Sequence, residues 1–272
     1  MFGVRRGHRQ TDGRLIPGGL FSSLRDLLFP PRCHVCGAVY ENRGNVEAAA
    51  GFAAEFARLL SPFLCPACRG RFVPAGPGVP GSLMPEHRPF GVAWAAGRYE
   101  GGTPFARLIG RYKYGGRAEL AGSLSRLLRS VFEAGWPADA VSDPVDVVAP
   151  VPLYPAKIRK RGFNQAWLLI RPWENDPPGG VRVIQHLLKR VRATRPQAGL
   201  SAREREKNLR GAFRLGDGVS LLGQRVVLVD DVLTTGATAG ACTEVLRSAG
   251  AANVDVLTLG RTPHPMENQI DG

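Results

Sequence analysis

Residues 226–238 (VVLVDDVLTTGAT) narrow the possible folds more than any other part of the chain. The apolar half is short and largely β-branched, which suits a strand buried on both faces of a parallel sheet better than a helix. A loop of small and hydroxylated residues follows and runs into a helical pattern. At such a strand-to-helix handover the backbone N–H groups are unpaired and the helix dipole is positive, so a phosphate fits there without a lysine. Thr234, Thr235, Gly236, Ala237 and Thr238 form that cradle, small enough for close backbone approach and with hydroxyl donors to spare. Asp230 and Asp231, at the carboxyl end of the strand, are placed to hold ribose hydroxyls or a magnesium-bound water. A ribose 5-phosphate whose hydroxyls face the acids meets all of these requirements.

Two other interpretations compete. An apolar strand ending in acids is also found in phosphate-loop nucleotidases, but those need G-x-x-x-x-G-K-[ST] upstream, and Gly-Lys never occurs here. A purely structural strand, with Thr234 or Thr235 capping the next helix, would gain nothing from two crowded carboxylates. The acid pair, its spacer and the T-T-G-A-T loop together resemble the PRPP-binding motif of type I phosphoribosyltransferases (PRPP being 5-phosphoribosyl 1-pyrophosphate).

The four cysteines at 33, 36, 65 and 68 form two C-x-x-C knuckles, the arrangement that wraps a tetrahedral zinc ion. Disulfides are the alternative, less suited to a chain with the marks of an intracellular protein. His34 offers a substitute ligand, though four thiolates already close a structural site. The fifth cysteine, Cys242, falls in the helix after the phosphate loop and reads as a small buried apolar residue.

At 272 residues the chain can hold one good-sized domain and a smaller module. No apolar run approaches the roughly 20 residues that span a bilayer. The basic N-terminus lacks the continuous apolar stretch of a secretory signal, so the cytoplasm is the expected compartment. A formal charge of +13 biases the chain toward polyanions, either a pyrophosphate-bearing substrate or nucleic acid, and charge alone does not separate the two.

Taken in order, residues 1–19 read as a disordered basic tail and 20–29 as a short amphipathic helix before Pro30. Residues 20–73 make up the zinc-binding module, with helical character between the knuckles at 46–60. Residues 74–89, rich in Pro and Gly, read as a linker. They contain a G-x-G-x-x-G match at 76–81 that has neither a strand before it nor a helix after it. From 90 to 261 strands alternate with helices, which implies a parallel sheet with ligands at the carboxyl ends of its strands. Within that domain 111–117 reads as a basic turn, and 146–150 as a strand opening onto a basic loop. Lys157, Arg159 and Arg161 in that loop are candidates for binding pyrophosphate. Residues 190–210 read as a polar loop that could close over the site, and 262–272 as a tail.

Eight blocks together resemble the ComF family, which includes the GntX-like proteins: LLFPPRCHVC (27–36), CPAC (65–68), YKYGGR (112–117), PVPL (150–153), RKRGFNQA (159–166), RATRPQAGL (192–200), KNLRGAF (207–213) and VDDVLTTGAT (229–238). The resemblance implies an α/β fold: a type I phosphoribosyltransferase-like parallel sheet flanked by helices, preceded by a small zinc-ribbon-like module. It implies structural Zn2+ on Cys33, Cys36, Cys65 and Cys68. It further implies a PRPP site with Mg2+, with Asp230 and Asp231 on the ribose hydroxyls and residues 234–238 on the 5-phosphate. A part in natural transformation follows as well, with single-stranded DNA and DNA-uptake proteins as partners. The gap between the cysteine pairs is longer than the family's usual spacing. Transferases of 6-oxopurines carry an acid where this chain has Thr234, so hypoxanthine and guanine are not the expected acceptors. The alternative to a DNA-uptake role is an active transferase with an unidentified acceptor.

Overall fold

The computed structural model describes residues 30–41, 52–76, 78–84, 88–135, 144–194 and 202–263. The tail at 1–19, the helix expected at 20–29, the start of the inter-knuckle helix and the centre of the long polar loop lie outside them. So does all but the first two residues of the expected C-terminal tail.

The first knuckle is a tight hairpin, bridged from Arg32 to Val39, with Gly37 at φ 78 taking the left-handed position in its turn. Helix α1 (Phe52–Leu60) leads to α2 (Pro66–Arg69), where Pro66 sits at the first helical position that tolerates it. Next come β1 (Val79–Pro80), β2 (Val92–Arg98), α3 (Pro104–Tyr114) and α4 (Ala121–Gly135). Thr103 caps α3 by accepting from the Ala106 N–H at 3.2 Å. The chain continues through β3 (Val147–Pro150), α5 (Pro155–Arg161), α6 (Gln165–Ile170), β4 (Arg182–Val183) and β5 (Leu188–Arg190). It closes with α7 (Ala202–Leu209), β6 (Phe213–Leu215), β7 (Arg225–Leu233), α8 (Ala237–Ser248) and β8 (Asn253–Arg261).

Six strands form one sheet in the order β1-β2-β8-β7-β3-β4, parallel except for the β1 edge, while β5 and β6 pair as a separate antiparallel hairpin. From β3 the chain moves outward to β4, and when it returns it places β7 on the other side of β3. Connections that diverge in this way open a crevice beyond the carboxyl ends of the two strands, where ligands of open α/β sheets bind.

Strand β7 explains its own composition. Alternate side chains point to opposite faces. Val227 and Val229 enter a core shared with α3, α4 and α6, and Val226 and Leu228 enter a second core with α8 and β6. Both faces are covered, so the strand reads as an unbroken apolar run. The first of these cores also takes in Cys33, Phe56, Leu60 and Leu64. Phe56 stacks on Phe72 at 3.5 Å, and both meet Phe105 of α3 edge-on. The cysteine module is thus packed directly onto the α/β body.

Several local expectations are corrected. In residues 74–89, Pro74 bridges Gly97, Ala75 and Met84 are buried, and Pro80 sits on an edge strand, the one sheet position where a missing N–H costs little. Residues 111–114 are the last turn of α3, not a loop. The basic loop is helix α5, terminated at left-handed Gly162 (φ 85). Residues 202–209 of the polar loop are the helix α7. Among the described residues no helix is long and apolar enough to cross a membrane.

Candidate functional site

One cleft of about 460 Å³ lies at the carboxyl ends of β3 and β7. It gathers Asp230, Asp231, Thr234, Thr235, Gly236, Ala237 and Thr238 with Lys157 and Arg161. Arg159 is not among its lining residues. On α5, positions 157 and 161 share one helix face, and 159 lies on the opposite, exposed side.

Gly236 takes φ 71 immediately before the first turn of α8. A Cβ there would come within 3.1 Å of both Arg88 Cγ and the Phe90 ring, so the space is tight, and the left-handed backbone favours glycine in its own right. Arg88 fixes the loop from behind, its Nε donating to the Thr235 carbonyl at 2.8 Å. The Asp231 N–H donates to Asp230 Oδ1 at 2.8 Å. Opposite the acids, Lys113 Nζ reaches Asp231 Oδ1 at 2.8 Å from the end of α3.

The electrostatics follow from this crowding. Burial, and next the neighbouring Asp231 carboxylate, push the Asp230 carboxyl up to about 7 against the pull of Lys113. Burial works against the Lys113 ammonium, but Asp231 and Asp230 more than offset it and raise its pKa above the ordinary lysine value. Burial followed by Arg190 and Arg161 lowers the pKa of Lys157. The cleft therefore has an acidic floor beside the small-residue loop and a basic wall facing it. Such a site suits a ligand with hydroxyls or a metal at one point and anionic groups at others.

Gln165 couples the two walls. Its Nε2 donates to the Lys113 carbonyl at 3.1 Å, and its Oε1 accepts from Arg161 at 3.2 Å. The buried Tyr112 hydroxyl donates to the Gln165 carbonyl at 2.8 Å. The Arg161 guanidinium lies over the exposed Tyr114 ring, 4.7 Å from its centre.

A second centre is formed by Cys33, Cys36, Cys65 and Cys68, whose sulfur atoms all lie within 4.8 Å of one another. Burial raises the Cys33 thiol, but backbone N–H groups of Cys36, Cys65 and Val35 outweigh it and bring it down to about 6. The cluster could hold a metal ion. His34 is outside it, its ring edge-on to Phe63 at 5.4 Å.

Comparison with known proteins adds the following. The chain is 36% identical over 201 residues to the DNA utilization protein YhgH of Salmonella typhi, covering 73% of this chain and 84% of that one. It is 35% identical over 162 residues to competence protein F of Haemophilus influenzae, covering 58% of this chain and 68% of that protein. The chain belongs to the ComF family.

No family model matches this ComF-family chain. Among solved structures, the allosteric regulatory enzyme of purine biosynthesis aligns at 23% identity and TM-score 0.35, over 55% of this chain and 30% of that one. Several cleft residues of this ComF protein were not singled out as site residues from its sequence: Lys113, Tyr114, Tyr99, Arg190 and Thr194. Within YKYGGR, Lys113 reads only as part of a basic turn, and Tyr114 as a ring among basic residues that could stack on bases. Arg190 falls at the start of the 190–210 stretch, which reads only as a polar loop, and in the run Lys189-Arg190-Val191-Arg192 nothing local distinguishes it from its basic neighbours.

Proposed function

We propose that this chain binds PRPP with Mg2+ in the β3–β7 cleft and serves in the handling of DNA taken up by the cell, on the cytoplasmic side. One observation carries the reading: the Asp230–Asp231 pair and the Gly236-centred loop, at the N-terminus of α8, line the same cleft at the point where the sheet reverses. In this reading the acids hold the ribose hydroxyls, and residues 234–238 bind the 5-phosphate through backbone N–H groups. Mg2+ would neutralise charge on the pyrophosphate. The relatives' names, DNA utilization protein and competence protein F, supply the cellular role. Zinc is the metal we assign to the four cysteines, since an all-thiolate tetrahedral donor set suits it.

Calorimetric titration with PRPP and Mg2+ tests the assignment. Wild-type protein is expected to bind, and Asp230→Asn/Asp231→Asn to lose at least about 10-fold in affinity. Equal binding by the two proteins, or no binding by either, rejects it. An intact acid pair beside a phosphate cradle also favours a second reading, transfer of the phosphoribosyl group to an acceptor. PRPP-dependent release of pyrophosphate would distinguish transfer from simple binding.

A further inference from the structure

A second cavity, of about 300 Å³, opens along α8, and the PRPP reading makes no use of it. Leu209 at the end of α7, Phe213 and Val245 give it apolar walls, Arg88 and Arg210 bring it two cations, and Glu244 adds one carboxylate. Arg210 and Glu244 are exposed, and among the described residues neither has an ion-pair partner. Apolar walls with a few charged groups are what fix a small ligand's orientation, and the volume is that of such a site. Two guanidinium groups favour a phosphate, which they meet with forked donors. A carboxylate, an acceptor only, calls for an N–H group on the same ligand.

The cavity also adjoins the cleft. Ala237, the first residue of α8, lines both. Arg88 reaches from it to the phosphate loop, its Nε donating to the Thr235 carbonyl at 2.8 Å. The Phe213 ring lies under the guanidinium of Arg190, a cleft residue, at 5.2 Å. An occupant that immobilises Arg88 and Phe213 therefore bears on two groups of the cleft.

We propose that this cavity binds a nucleoside monophosphate with an amino-bearing base, and that its occupancy tightens the cleft's hold on PRPP. The phosphate meets Arg88 and Arg210, the base lies against the apolar walls, and its amino group donates to Glu244. With Arg88 held, the loop built on the Thr235 carbonyl is held too. The site stands apart from the PRPP reading, and only the coupling rests on it.

Equilibrium titrations with AMP and CMP, each with and without saturating PRPP and Mg2+, test this on wild-type protein, Arg210→Ala, Glu244→Ala and the cavity-filling Ala241→Leu. Wild-type protein is expected to bind at least one of the two nucleotides while PRPP fills the cleft, at least about 5-fold more tightly than without PRPP. Adenosine in place of AMP, and each variant, should lose at least about 10-fold. Arg210 and Glu244 are exposed, so truncating them probes the contact and not the fold. Nucleotide that PRPP displaces is bound in the cleft, which overturns the proposal and leaves the PRPP reading standing. No binding of either nucleotide, or affinities unchanged in all three variants, overturns it too. Equal nucleotide affinity with and without PRPP removes the coupling. If PRPP itself does not bind, the PRPP reading and the coupling fail together, whereas nucleotide binding lost in the three variants still upholds the site.

Discussion

Asp230 is the residue at which the chain holds charge against its own stability. In the unfolded chain an aspartate titrates near 4, whereas burial and Asp231 bring this one to about 7 in the folded molecule. Between those values the folded chain binds a proton that the unfolded chain does not, so this group's contribution to stability falls as pH rises through that window. Asp230→Asn should therefore raise the melting temperature at pH 8 by about 2–4 °C, the response of a domain of this size to about 1 kcal/mol, and give no gain at pH 4. Scanning calorimetry at both values checks this, and a lower melting temperature at pH 8 contradicts it. If PRPP and Mg2+ bind at the acids as proposed, the same raised carboxyl should release a proton on binding at pH 6.5. Heats measured in two buffers of different ionisation enthalpy should then differ, whereas identical heats would show that no proton leaves.

Among the elements, the handover from β7 to α8 is closely constrained. Gly236 is held between a left-handed φ of 71 and the Arg88 and Phe90 side chains 3.1 Å from any added Cβ. Gly236→Ala should cost about 1–3 kcal/mol of stability for the backbone strain and move the loop enough to weaken ribose 5-phosphate as strongly as PRPP. Denaturant unfolding alongside titration with both ligands reads this, and an alanine variant with wild-type stability would show that the loop can relax. Helix α5 teaches a related lesson. Its i,i+4 spacing turns Lys157 and Arg161 into the cleft and Arg159 out, a distinction that a loop would not impose.

At the scale of the whole molecule, the cysteine module and the α/β body share one core through Phe56, Phe72 and Phe105. Helix α3, which starts at that aromatic contact, carries Lys113 in its last turn onto Asp231. With zinc on the four cysteines as proposed, its removal by a chelator under reducing conditions should lower the melting temperature of the whole protein in a single transition and weaken the proposed PRPP binding. Two separate transitions, with ligand affinity unchanged, would show that the module is an independent appendage.

By itself the sequence determined the parallel α/β class, the acid pair at a strand end, the small-residue loop that follows it, the four clustered cysteines and the alternation of strands and helices after residue 90. Each rests on local pattern: an apolar run with both faces covered, small residues where a helix begins, paired thiols at knuckle spacing. Only the tertiary structure decided that Lys113 neutralises Asp231, that Arg190 enters the cleft and Arg159 does not, and that residues 74–84 edge the sheet. Lys113 precedes its partner acid by more than 100 residues, and Arg190 reaches the cleft from a separate hairpin. Contacts of that kind are set by how the sheet reverses and by which face each helix buries, and neither leaves a mark in the spacing of neighbouring residues.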